Sequence, residues 1–102
     1  MTLPEVNEKL ARIAEEYPRK LKQLQEAEIT FNLRFWDLLL HSGMGTIGAK
    51  EAEANLTCNQ EGLLEPLQIL RADVKGLYHE KDCFTEIARN LRAIQVGQEA
   101  SE

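Results

Sequence analysis

Four side chains in this 102-residue chain are of the types that bind metals or attack substrates: Cys58, Cys83, His41 and His79. Together they would make a Cys₂His₂ zinc set. The tightest local element is His79-x-x-x-Cys83, one helical turn apart. On a straight helix, however, Cys58 and Cys83 would lie roughly 37 Å apart at about 1.5 Å per residue. A fold-back at residues 43–48 does not bring them together; only a reversal at 62–66 would. The two cysteines are therefore read as free thiols, and no metal site is expected. Nucleophilic chemistry fares no better. A reactive thiolate at Cys83 needs basic neighbours, but Glu80, Asp82 and Glu86 surround it in sequence and oppose ionisation. There is no G-x-S-x-G motif. No catalytic residue and no cofactor is expected.

Acidic pairs occur at Glu15/Glu16, Glu26/Glu28 and Glu51/Glu53, and on helices such runs are ordinarily solvated. Glu28 differs because it falls on an apolar seam between Leu24 and Phe31. A polar seam residue usually fixes register or oligomer state. Lys81 holds the same kind of position in the second half. The glycine-bearing run Gly43-Met44-Gly45-Thr46-Ile47-Gly48 has neither a preceding strand nor a suitably placed lysine, so it reads as a turn rather than a phosphate loop. Arg12, Arg19, Lys20 and Lys22 form the one basic cluster, a candidate patch for nucleic acid or an acidic partner. Phe31, Phe35 and Trp36, with Leu39 and Leu40, form a dense apolar group suited to a subunit interface.

The elements that carry these residues are set by periodicity. Leu3, Val6, Leu10, Ile13 and Tyr17 are spaced 3, 4, 3, 4. The register resumes beyond Pro18 with Leu21, Leu24, Glu28, Phe31, Phe35 and Leu38. That is a heptad pattern on one helical arm, 3–42. Thr2-Leu3-Pro4-Glu5 reads as its capping box, with proline in the first turn. Residues 43–48 form the turn, and Thr46 or Gly48 can cap the second arm. That arm, 49–96, carries Ala49, Ala52 and Leu56. From Leu63 the seam steps again by 4 and 3 through Leu67, Leu70, Val74, Leu77, Lys81, Phe84, Ala88 and Leu91. Pro18, and Gly62 with Pro66, predict a bend or break in each arm, because a proline ring collides with the carbonyl of residue i−4. Residues 97–102 are expected to fray.

Totals narrow the class. The chain is 43% hydrophobic and 28% charged, with 6 glycines, 3 prolines and 6% aromatics. These proportions suit an all-α protein and neither a disordered chain nor a turn-rich β fold. Both halves are acidic: 7 Lys+Arg against 8 Asp+Glu in residues 1–51, and 5 against 9 in residues 52–102, for a net charge of −5. A protein that grips phosphates usually shows the opposite balance. Met1–Glu5 has no charged and apolar leader pattern, and no apolar run approaches a membrane span, so a reducing cytoplasm is expected.

Glu26-Ala27-Glu28, the turn at 42–48, Ala49-Lys50-Glu51-Ala52-Glu53-Ala54-Asn55 and Ile87-Ala88-Arg89-Asn90-Leu91-Arg92 are similar to small two-helix proteins of phage and prophage early gene clusters. The resemblance covers roughly positions 20–95. It carries over no functional residue. It implies a partner-binding role in the host cytoplasm, in replication, recombination or interference with the host.

The expected protein is thus a single all-α domain, a long antiparallel hairpin assembling into an oligomeric helical bundle. Residues 29–40 are apolar around most of the helix, which a lone hairpin cannot cover. Self-association as a dimer or higher oligomer, and a further protein partner, are expected on that ground. Nucleic-acid accessory function through Arg12, Arg19, Lys20 and Lys22 is the alternative.

Overall fold

A computed structural model describes residues 1–101, with the side chains of 1–99. The chain is all-helical: α1 spans Leu3–Leu40, α2 Ile47–Gln60 and α3 Leu64–Ser101. The molecule measures 77 × 22 × 16 Å, and its radius of gyration is 21.9 Å. A compact chain of this length would have a radius near 13 Å. It is a rod two helices wide.

α1 and α2 start where the sequence supplies a cap. The Thr2 hydroxyl accepts from the Glu5 amide at 3.4 Å, and Pro4 occupies the first turn, where no intrahelical N–H bond is lost. Thr46 caps α2, accepting from the Ala49 amide at 3.1 Å. Pro66 lies in the first turn of α3 and so begins that helix rather than bending it.

The second arm divides at Glu61-Gly62-Leu63. The Leu63 amide donates to the Cys58 carbonyl (3.0 Å) and the Gly62 amide to that of Asn59 (3.1 Å). This is the Schellman pattern, and Gly62 takes the left-handed conformation it requires, φ 74°. Pro18 breaks nothing: α1 is helical throughout. Pro18 and Ala14 are exposed, so water can reach the Ala14 carbonyl left without its donor. The segment from 97, expected to fray, is helical as far as Ser101.

Inter-helix contacts run in opposite chain order along α1. Lys9 sits over the Phe84 ring (5.7 Å), Lys20 meets Asp73 (3.4 Å), Glu28 meets Arg71 (3.6 Å) and Arg34 meets Glu61 (2.6 Å). Every α1 seam position from Leu3 to Leu38 is buried or half-buried, and so is every second-arm seam position from Leu63 to Leu91 except Lys81. In α2 the expected stripe is out of phase. Ala52 and Leu56 are exposed, while Ala54 and Cys58 are buried.

The core is thin. Among the described residues only Val6, Ile13, Leu24, Ala54, Cys58, Leu67 and Ala88 are fully buried, and none is polar. The accessible surface is 7431 Å², against roughly 5,800 Å² for a compact monomer of this mass. The chain alone leaves an unusual share of its surface wet. No helix among the described residues is long and apolar enough to cross a membrane.

Candidate interaction surface

The face of α1 turned away from the seam carries its own heptad. It begins with charges at Glu8, Arg12, Glu15, Arg19, Lys22 and Glu26, and then continues in the same 4, 3 steps as Ile29, Leu33, Trp36 and Leu40. At 3.6 residues per turn these positions lie roughly opposite Leu24, Phe31, Phe35 and Leu38. The four apolar members are open to solvent: Ile29 59%, Leu33 70%, Trp36 58% and Leu40 78%. Ile47, at the start of α2, extends the patch at 73%. A shallow cleft of about 390 Å³ joins Trp36, Leu39 and Leu40 to Ile47, Lys50 and Glu51.

The five residues expected at an interface are thereby divided. Phe31 and Phe35 are half-buried on the seam side, stacked with centroids 6.0 Å apart, and Leu39 is half-buried beside them. Trp36 meets Phe35 edge-on (6.1 Å, 83°) yet remains mostly exposed, as does Leu40. Ile29 and Leu33 belong to the exposed set and are not among those five. Their signal in the sequence is the 4-3-4 spacing, hidden inside a segment apolar on nearly every side.

The polar seam residues do not meet each other. Glu28 pairs with Arg71, whose long side chain reaches over from an exposed position beside the seam. Lys81 is exposed, at the rim of an apolar cleft of about 340 Å³ formed by Leu10, Ile13, Ala14, Tyr17 and Pro18. The basic cluster is also dispersed. Lys20 is tied to Asp73, while Arg12, Arg19 and Lys22 alternate with Glu8, Glu15 and Glu26 along one face. Opposite charges three and four residues apart neutralise one another, so no concentrated positive field forms there.

At the α2–α3 junction, Arg34 binds both oxygens of Glu61, through Nη2 to Oε1 (2.6 Å) and Nε to Oε2 (2.9 Å), and its Nη1 reaches Asp37 (3.2 Å). The hydrogen bond from Arg34 holds the Glu61 carboxyl below its usual range and keeps the guanidinium firmly protonated. Cys58, fully buried one turn earlier, has its thiol pushed up by desolvation and then by the Glu61 charge, with Arg34 opposing. Cys83 is exposed on α3. Among the described residues no group of three or more His, Cys, Asp or Glu is placed to hold a metal ion.

No family model matches this chain, and no curated protein and no solved structure shows significant similarity to it.

Proposed function

We propose that this protein is a non-enzymatic helical interaction module whose working surface is the outer stripe Ile29, Leu33, Trp36, Leu40 and Ile47. The two arms form an antiparallel hairpin, a reading supported by the opposite chain order of the Lys9–Phe84, Lys20–Asp73 and Arg34–Glu61 contacts. The hairpin is the scaffold, and the stripe is what it presents within an oligomeric helical assembly.

One observation carries the proposal. An apolar stripe in heptad spacing lies mostly exposed on a helix whose opposite face already meets the rest of the chain. Scattered exposed apolar residues need no explanation, but a contiguous stripe marks a contact surface. With Ile47 it leaves on the order of 700 Å² in the open, taking about 200 Å² for a full Leu or Ile and somewhat more for Trp; the largest patch on an ordinary monomer is about 300–600 Å². A phage origin and a cytoplasmic location, both expected from the sequence alone, would suit such a role. Nucleic-acid binding is the weaker reading, because Lys20 is ion-paired and its basic neighbours are interleaved with glutamates.

The test is the native size of the protein in extracts of the cell that makes it, compared with a Leu33→Glu variant. A wild-type species larger than one chain, reduced to one chain by the substitution while helicity is kept, is expected. A wild-type protein running at the mass of a single chain in those extracts would overturn the proposal.

A further inference from the structure

We infer that the occupant of the α1 outer stripe is a second copy of this chain, docked antiparallel about a two-fold axis that passes between the two α1 helices at the level of Arg34 and Phe35. This rests on the reading of the stripe as a contact surface and names its partner.

Symmetry is the first support. A 4-3-4 stripe is symmetric about its midpoint. A two-fold antiparallel copy therefore brings Ile29 level with the copy's Leu40 and Leu33 level with its Trp36, twice over. The Leu33–Trp36 pair sets a large residue against a smaller one, while Ile29 and Leu40 are of equal size and interdigitate as knobs into holes would. An isologous contact of this kind closes on itself and leaves no stripe open for a third copy.

Charge is the second. In a parallel pair the outer-face row Glu8, Arg12, Glu15, Arg19, Lys22, Glu26 would stand in register, each charge facing its own like. Two indoles would also meet at one level. The antiparallel arrangement carries the charged rows past each other and away from the contact. It carries Glu26 and Lys22 past the end of the copy's α1 at Leu40.

Area is the third. The stripe offers on the order of 700 Å² on each copy, near the roughly 800 Å² per partner of a standard interface. Each chain exceeds a compact monomer's roughly 5,800 Å² by about 1,600 Å², and its stripe accounts for a little under half of that excess. That excess is built into every copy of the chain, and another copy is the surface always at hand to cover it. The stripe and the seam lie on roughly opposite sides of α1, so the dimer would be a row of helices centred on the two α1 helices, not a closed bundle.

Sedimentation equilibrium of the purified full chain, alone and as charge-swapped mixtures, tests this. Wild type is expected at twice the chain mass of 11.6 kDa. Leu33→Glu and Trp36→Lys alter exposed positions outside the seam, so each should keep its helical signal. Each should dimerise at least about 100-fold more weakly, because its charge would be buried against an apolar residue. An equimolar mixture should regain the dimer. The carboxylate introduced at position 33 of one variant then faces the ammonium introduced at position 36 of the other, while the unaltered Trp36 faces the unaltered Leu33. In a parallel pair neither contact forms, and mixing restores nothing. Failure of the mixture to dimerise overturns the antiparallel pairing. A helical wild-type chain of single-chain mass at micromolar concentration overturns the second-copy partner. In that case a larger species in native extracts would leave the contact-surface reading intact with a different occupant, and a single-chain species there would end both.

Discussion

Arg34 on α1 holds both carboxylate oxygens of Glu61, the residue that caps α2, and so ties the C-terminal part of the first helix to the point where the second arm changes helix. The two side chains are 38% and 37% exposed. Solvent screening keeps such a link modest in energy; its larger effect is positional, because a planar fork fixes direction as well as distance.

This pair should make stability depend on pH. Glu61 is lowered by its hydrogen bond to Arg34. A group whose folded pKa lies below its unfolded value contributes fully above the ordinary carboxylate range, and that contribution is lost as pH falls through the folded value. Thermal melts from neutral pH downward should show the Arg34–Glu61 contribution constant to about pH 4.3, then declining. In Glu61→Gln that part of the acid dependence should be absent and Tm slightly lower at neutral pH. Arg34→Lys should also lower Tm, since an ammonium cannot reproduce the fork.

Gly62 and Gly76 should respond to alanine with opposite signs. No atom lies within 4 Å of a side chain added at either position, so backbone conformation decides. Gly62 has φ 74°, and alanine there should cost about 1–2 kcal/mol. Gly76 is in the middle of α3, where alanine should add about 0.5–1 kcal/mol. Urea denaturation monitored by circular dichroism measures both.

The seam of α1 was legible from Leu3 to Leu38 because nothing resets its phase: an uninterrupted 3, 4 pattern keeps one face on one side, and Pro18 costs a hydrogen bond without shifting the register. The phase of α2 was not legible. Ala49, Ala52 and Leu56 fit a pattern extrapolated across the turn, but the left-handed Gly62 disconnects α2 from the α3 seam, and Ala54 and Cys58 face inward instead. The partner of Glu28 was hidden for another reason. Arg71 is not a seam residue, and only its reach brings it to Glu28. The working stripe was obscured by its own surroundings, since Phe31 and Phe35 fill gaps between its members in sequence and lie on the seam side, while Leu39 sits at its edge beside Trp36 and Leu40.

Core and stripe should separate under truncation. Leu67 is 1% exposed, and Leu67→Ala should cost about 2–5 kcal/mol at any protein concentration. Leu33 is 70% exposed, and Leu33→Ala should change the intrinsic stability of the chain by no more than about 0.5 kcal/mol. It should instead diminish the part of the stability that rises with protein concentration. Urea midpoints measured over a concentration series distinguish the two.

The thiols should differ in reactivity. Cys83 is exposed, whereas Cys58 is fully buried with its thiol pushed up by burial. Only the thiolate reacts. Ellman's reagent should modify Cys83 promptly and Cys58 only as fast as α2 opens from α1. Glu61→Gln weakens that closure and should speed the slow phase.

The most direct measurement uses Trp36, the single tryptophan of the chain and a central member of the stripe. Its emission maximum and acrylamide quenching should be followed over a dilution series, with helicity monitored in parallel. Emission should be blue-shifted and protected at high concentration, then red-shifted and readily quenched on dilution, before helicity is lost. Emission that is red-shifted and fully quenchable at every concentration, in a chain that stays helical, would contradict self-association through this face.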